Sequence, residues 1–316
     1  MRIAIYDVFA EKPYSGNQAA VVRVARRQLS DSQLVALAGE LSLAETALLS
    51  VRNGDIALRF ASAHGVIARC GHATLASVAD HVLPGLKYRR ANCEWKGRYR
   101  IGTSIAEWRA RPVNKKLRHG RAQGLDVAIT WPDRPTFASG LPARQVYRAL
   151  GLDVRDAASG LPLCAYNSGT LNALVPVRTV AILEQIQPDW KKLEALFEEF
   201  NLPDNGRLTD FHLYCLQGAQ RTPWKVRCRN VFPYGVFEEP ATGTASVALA
   251  AALVDHLPAI KGGNSAVTFN FDQGQGTRHG KISVIWQPSL KGRPVIWLEG
   301  RVFPIVRGTL VSIPVR

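Results

Sequence analysis

Two short stretches of this chain put small polar residues where a helix should begin. One is Cys70-Gly71-His72-Ala73-Thr74-Leu75-Ala76, running toward Asp80-His81. The other is Thr242-Gly243-Thr244-Ala245-Ser246-Val247-Ala248, running toward Asp255-His256. Both read glycine, polar, alanine, hydroxyl, apolar, alanine. At a helix N-terminus the first backbone N–H groups are unpaired and the dipole end is positive. Such an end takes up a carboxylate or phosphate with little further help. The repeat suggests two anion-binding ends, one in each half. The plainer reading is that glycine and threonine merely start two helices. Cys70 adds a thiol that a helix N-terminus would push toward thiolate. His72 adds an imidazole that the same dipole would hold neutral.

The elements that must position these residues follow from periodicity. Residues 3–9 and 19–24 read as strands joined by a turn at Pro13–Asn17. Ser30 or Asp31 caps a helix to about Glu40. Strands are expected at 45–49 and 56–60, then a helix over 71–83 with Leu75, Val78, Ala79 and Val82 on its apolar face. After Gly124 the pattern restarts, with strands at 127–132, 171–177, 211–216, 224–230, 267–271, 281–286 and 295–298. The second half's helices are expected at 141–150, 182–201 and 244–257. Helices and strands do not alternate regularly, which argues for α+β and against a Rossmann sheet or a TIM barrel.

The chain has 316 residues, 40 Lys+Arg against 25 Asp+Glu, and a net charge of +15. That length suggests about two domains, and 47% hydrophobic residues exclude a disordered chain. Five cysteines without a CxxC pair make a zinc knuckle or a disulfide framework unexpected, and a reducing, cytoplasmic location is expected. The N-terminus reads as a strand and not a signal peptide. The apolar stretch 245–254 is too short to cross a membrane, which takes ~20 residues. Residues 87–121 hold twelve basic residues against Glu94 and Glu107, interleaved with Tyr88, Trp95, Tyr99 and Trp108. Such a mixture can stack nucleic-acid bases; the plainer reading is a hairpin with a solvated basic face.

Further motifs stand in order along the chain: Asp7-Val8-Phe9, Ser15-Gly16-Asn17, Leu43-Ala44-Glu45-Thr46-Ala47, Cys70-Gly71-His72-Ala73-Thr74, Glu238-Glu239-Pro240-Ala241-Thr242-Gly243-Thr244-Ala245, Gln273-Gly274 and Leu298-Glu299-Gly300-Arg301-Val302. Together they resemble the PhzF-like family, named for the phenazine-biosynthesis isomerase. The resemblance is weak over 87–121 and around 152–166. It implies a diaminopimelate epimerase-like fold: two similar, curved, barrel-like α/β domains, each around a central helix, with the active site in a cleft between them. The helices over 71–83 and 244–257 would be the central ones. The domains would span 1–122 and 123–301, with 302–316 a candidate to rejoin the first. The resemblance also implies a homodimer that needs no cofactor and no metal.

On that resemblance Glu45 carries a proton between two carbons of a small acidic substrate. A carboxylate held in an apolar frame, here Leu43, Ala44, Ala47 and Leu48, is a better base for carbon. An isolated glutamate at a strand start would otherwise read as a surface residue. His72 matches the family's active-site histidine. Glu239 stands where the family usually has aspartate, and the added methylene moves the carboxylate by ~1.5 Å, so the substrate or the cleft is expected to differ. Gly71, Gly243 and Thr244 would offer N–H groups to the substrate carboxylate, and Asn17 and Cys70 would line the site. Three functions stay open: this isomerase, an amino-acid epimerase using Cys70, and a non-catalytic anion or nucleic-acid binder acting through 87–121. Diaminopimelate epimerases use two cysteines, and Thr242 in the second position disfavours the epimerase.

Overall fold

A computed structural model describes residues 1–24, 29–52, 54–88, 93–113, 124–202, 206–218, 221–233, 237–260, 265–276, 278–289 and 292–312. The chain runs β1 (Arg2–Val8), β2 (Asn17–Arg23), α1 (Asp31–Leu41), β3 (Glu45–Arg52), β4 (Asp55–Ser62), β5 (Gly65–Ile67), α2 (Gly71–Val82), β6 (Trp95–Ile101), β7 (Ser104–Pro112) and β8 (Leu125–Trp131). It continues with β9 (Thr136–Gly140), α3 (Ala143–Ala149), β10 (Cys164–Asn167), β11 (Leu171–Pro176), α4 (Val180–Gln185) and α5 (Trp190–Glu199). Then come β12 (Asn201–Leu202), β13 (Gly206–Gln217), β14 (Trp224–Phe232), β15 (Phe237–Glu239), α6 (Gly243–His256), β16 (Val267–Gln273), β17 (Gly280–Gln287) and β18 (Val295–Thr309). Two compact units result, Met1–Pro132 with Trp297–Arg316, and Asp133–Ile296. The first takes in β8, assigned to the second domain on sequence, because β8 pairs with β7 and with β18.

In the first unit eight strands close into a ring, in the order β1, β2, β3, β4, β6, β7, β8, β18 and back to β1. The β2–β3 and β4–β6 pairs are parallel. A parallel pair needs a long crossover, and between β2 and β3 this is α1, capped by a Ser30–Gln33 capping box. Helix α2 packs against β1, β2, β3, β4, β7 and β8. Its residues from Gly71 through Ala79 are all buried. A helix apolar all round belongs inside, and small side chains let the strands approach. Its hydroxyls are satisfied within the helix, Thr74 Oγ1 donating to the Cys70 carbonyl and Ser77 Oγ to that of Ala73, both at 2.7 Å.

In the second unit the ladder runs β9, β10, β11, β13, β14, β16, β17. Helix α6 touches β9, β10 and β11 near one end of this order and β17 at the other, so the sheet wraps around it. Ten of its residues are buried. Helices α3, α4 and α5 cover the other face over β11 and β13, burying Tyr147, Leu183, Leu193 and Phe197. The single helix expected over 182–201 is two. Pro188 breaks the pattern, since proline and the residue before it resist the helix interior, and Asp189 then caps α5 through Lys192 N at 3.2 Å. No helix among the described residues is long and apolar enough to cross a membrane.

Within the basic segment the described strands β6 and β7 pair as a hairpin. Because side chains alternate across a strand, Tyr99 and Trp108 face inward and are buried. Tyr99 Oη donates to the Thr130 carbonyl at 2.7 Å and Trp108 Nε1 to that of Arg98 at 3.2 Å. The charges lie on the other face. Lys96, Arg98, Arg100, Arg109 and Arg111 each stand within ion-pair distance of a carboxylate, respectively Glu94, Asp55, Asp55, Glu299 and Asp126. Tyr99 and Trp108 are therefore not presented for stacking on bases. Arg89, Arg90, Lys115, Lys116, Arg118 and Arg121, and the side chain of Lys87, lie outside what the structure describes.

Candidate active site

The sequence-expected residues fall into two groups, one in each unit. In the first, the parallel β2–β3 pair brings two strand starts to one end of the ring. Asn17 opens β2, Glu45 opens β3, and the register sets Glu45 beside Ala19. Asn17 is buried. The turn before it needs Gly16: its φ is +67°, and a Cβ there would lie 2.2 Å from the Val8 carbonyl oxygen.

Helix α2 then delivers the imidazole. His72 Nε2 stands 2.8 Å from Glu45 Oε2. On the ring's other side, Nδ1 lies 3.5 Å from Cys70 Sγ. Cys70 is the N-cap residue, with extended backbone (φ −143°, ψ 114°) and no side-chain capping bond. Of the apolar frame expected from sequence neighbours, Ala47 and Leu48 are buried. Ala44 is exposed and Leu43 half-buried; His72 and Cys70 stand beside Glu45, whose side chain keeps 20% exposure.

Two electrostatic expectations are reversed. Burial pushes the Cys70 thiol up, so desolvation outweighs the helix N-terminus and the neighbouring imidazole. Burial alone would lower His72, but the negative charge of its partners wins and holds it well above the ordinary histidine range. Glu45, Cys70 and His72 offer ligand atoms within 4.8 Å of one another. The imidazole stands between thiol and carboxylate, each facing a different ring nitrogen, which makes the arrangement a chain and not a chelate for one ion.

In the second unit Glu239 ends β15, paired with Asn230 of β14, and is buried. Arg229 fixes the preceding residue. It holds Glu238 through Nε at 3.0 Å and through Nη2, and its Nη1 donates to the Leu183 and Ile186 carbonyls at 2.7 and 2.9 Å. Gly274 passes under the same segment at φ +110°, where a Cβ would lie 2.6 Å from the Arg278 carbonyl oxygen and 3.1 Å from that of Pro240.

Thr242, the N-cap of α6, organises the group. Its Oγ1 accepts from Asn230 Nδ2 and Gln273 Nε2, both at 2.9 Å. A hydroxyl has two lone pairs and one hydrogen, so the hydrogen goes to Glu239 Oε2. No lone pair is left for capping, and Thr242 makes no side-chain cap bond. Gly243 and Thr244 form the first turn of α6, as Gly71 and His72 form that of α2, and the Thr244 carbonyl accepts from Ser168 Oγ at 3.0 Å. Behind Thr242, His212 Nδ1 meets Asn230 Oδ1 at 2.9 Å, and burial holds His212 down at about 4. Burial and the Glu239 charge raise Asp210 to about 7, with Asn172 Nδ2 donating to it at 2.7 Å. Asn230 and Asp210 sit in plain strand sequence that carries no motif, and His212, which from sequence reads as structural or exposed, is buried; Gln273 stands in a motif that assigns it no role.

Sequence and fold are both similar to known proteins. The sequence matches the family described as "Phenazine biosynthesis-like protein" over residues 6–300. It is 28% identical over 252 residues to the protein named "Uncharacterized isomerase YddE" of Escherichia coli O157:H7, covering 79% of this chain and 78% of that one. It is 28% identical over 254 residues to the trans-2,3-dihydro-3-hydroxyanthranilate isomerase of Pseudomonas chlororaphis, covering 80% and 79%. The fold superposes on the Bacillus anthracis phenazine biosynthesis protein of the PhzF family with a TM-score of 0.76, at 19% identity over 99% of both chains. Motif order, the ring around α2 and these matches together place the chain in the phenazine biosynthesis-like (PhzF) family of isomerases, with a diaminopimelate epimerase-like fold.

Proposed function

We propose that this enzyme moves a proton between two carbons of a small amino or carboxylic acid by general acid–base catalysis, with Glu45 as the carrier and no cofactor. The observation that carries this reading is the Glu45 carboxylate, 2.8 Å from a buried imidazole beside a helix start that its N-cap side chain leaves uncapped. A C–H bond breaks, the proton goes to Glu45, the electron pair shifts along the conjugated system, and the same carboxyl returns a proton at a second carbon. The first-turn N–H groups at Gly71 and His72 bind the substrate carboxylate. Gly243 and Thr244 offer a second such end, and the Thr242 hydroxyl holds the longer Glu239 side chain in place.

The first substrate to try is trans-2,3-dihydro-3-hydroxyanthranilate, the substrate in the name of one relative. In D2O, proton NMR is expected to show solvent deuterium entering the product at one carbon, with turnover at least ~100-fold lower in Glu45→Gln. Full turnover by Glu45→Gln, on this substrate or on any acid found by metabolite screening, refutes the assignment.

A further inference from the structure

The segment Glu239-Pro240-Ala241-Thr242 leads from β15 into α6, with proline at its second place, where a β-turn favours it. In a closed β-turn the Glu239 carbonyl would accept from the Thr242 N–H. Here a side chain takes both groups. Gln273, the last residue of β16, is fully buried. Its Oε1 accepts from the Thr242 N–H at 3.1 Å, and its Nε2 donates to the Glu239 carbonyl at 2.9 Å. The second Nε2 hydrogen goes to Thr242 Oγ1, also at 2.9 Å.

We propose that Gln273 is a positioning residue that holds this turn open and thereby sets the Glu239 carboxylate against Thr242 at the start of α6. The purpose rests on the reading that Glu239 and the first turn of α6 hold the substrate; the splint itself does not. A backbone N–H only donates and a carbonyl only accepts, so the amide fits this pair in one sense and cannot be turned over. Its oxygen must face Thr242 N and its nitrogen the Glu239 carbonyl. The hydrogen that remains on Nε2 then reaches Thr242 Oγ1 as a donor of fixed sense. It fills one lone pair, Asn230 Nδ2 fills the other, and the hydroxyl hydrogen is left for Glu239 Oε2. One side chain therefore fixes both backbone ends of the turn and the hydroxyl between them. Water has little access to these bonds, since Glu239 and Thr242 are each 5% exposed and Gln273 is 0% exposed. Gly280, the strand partner of Gln273, lies against the same turn: a Cβ there would stand 2.3 Å from the Ala241 Cβ. Without the amide, the Glu239 carbonyl and the Thr242 N–H would each lose a buried partner, which is costly. The direct bond across the turn is the nearest remedy, and it would carry the Glu239 side chain away from Oγ1.

Scalar couplings across hydrogen bonds, between nitrogen-15 and carbonyl carbon-13, read these partners directly by NMR. In the unaltered protein the Thr242 nitrogen is expected to couple to Gln273 Cδ, and Gln273 Nε2 to the Glu239 carbonyl carbon. Gln273→Met keeps a long unbranched side chain to fill the space and removes the amide. There the Thr242 nitrogen is expected to couple to the Glu239 carbonyl carbon instead, and the Glu239 carboxyl carbon to shift as it leaves Oγ1. Thr242→Val is expected to keep both couplings to the Gln273 amide, because they use backbone groups and not the hydroxyl. A Gln273→Met protein without the new coupling, and with the Glu239 carboxyl carbon and the Gly243 and Thr244 amides at wild-type positions, shows that Gln273 only fills space and overturns the proposal. Absence of the two couplings from the unaltered protein, or their loss in Thr242→Val, overturns it as well; neither result needs a Gln273 variant to fold. None of these readings depends on turnover, so the splint and the assignment of the site to substrate fail separately.

Discussion

Replacing Thr242 with valine keeps the shape of the side chain and removes one hydroxyl. That hydroxyl donates to Glu239 and accepts from Asn230 and Gln273, all within buried structure. A hydrogen bond to a charged group contributes ~1.5–3 kcal/mol and a neutral one ~0.5–1.5 kcal/mol. Gln273 Nε2 also donates to the Glu239 carbonyl at 2.9 Å, so it keeps a partner and its loss is the smaller one. The expected cost is therefore about 3 kcal/mol. For a unit of this size each kcal/mol moves the melting temperature by ~2–4 °C, giving a fall of roughly 6–12 °C. Thr242→Ser is the control, since it keeps the hydroxyl and loses one methyl, at about 1 kcal/mol. Thermal unfolding of the three proteins, followed by circular dichroism, reads both effects. A Thr242→Val protein that melts with Thr242→Ser refutes the reasoning, because the Oγ1 bonds would then carry no net stability.

Two further outcomes follow from other parts of the fold. Gly16→Ala is expected to cost at least about 2 kcal/mol in urea unfolding, because its φ of +67° and the 2.2 Å approach to the Val8 carbonyl both forbid a Cβ; a cost under about 0.5 kcal/mol contradicts this. Asp210 is raised to about 7 on folding, so the folded state binds its proton more tightly. The stability this brings is present below the ordinary aspartate value and is lost as pH rises through about 7. Asp210→Asn is therefore expected to be more stable than wild type at pH 8, by on the order of 1–3 kcal/mol, with the gain absent at pH 4; an equal difference at both pH values removes the cause.

The sequence by itself determined much of this protein. The strands and the two small-residue helices were legible because alternation and helical spacing are local. The segments that escaped notice were short, such as β5, β12 and β15, where too few residues repeat for a period to show. The ordered motifs pointed to the family and to Glu45, His72 and Glu239. Gly16 and Gly274 belonged to those motifs, and only the fold shows why they must be glycine: each meets a carbonyl from another segment.

Electrostatics and enclosure were decided by tertiary structure alone. The helix dipole, read from sequence, argues for a neutral His72 and an ionised Cys70. Folding closes the ring around α2, buries both groups and sets a carboxylate from β3 against Nε2, and each direction reverses. Glu45 meets the His72 imidazole of α2, while its chain neighbour Ala44 faces solvent. The basic hairpin follows the same rule: interleaved aromatics and charges in sequence become opposite faces of a strand pair. Sequence fixes which groups exist and their local period. The charge state of a buried group depends on its solvation and on what stands within a few ångströms of it, and strand pairing brings those partners from distant parts of the chain.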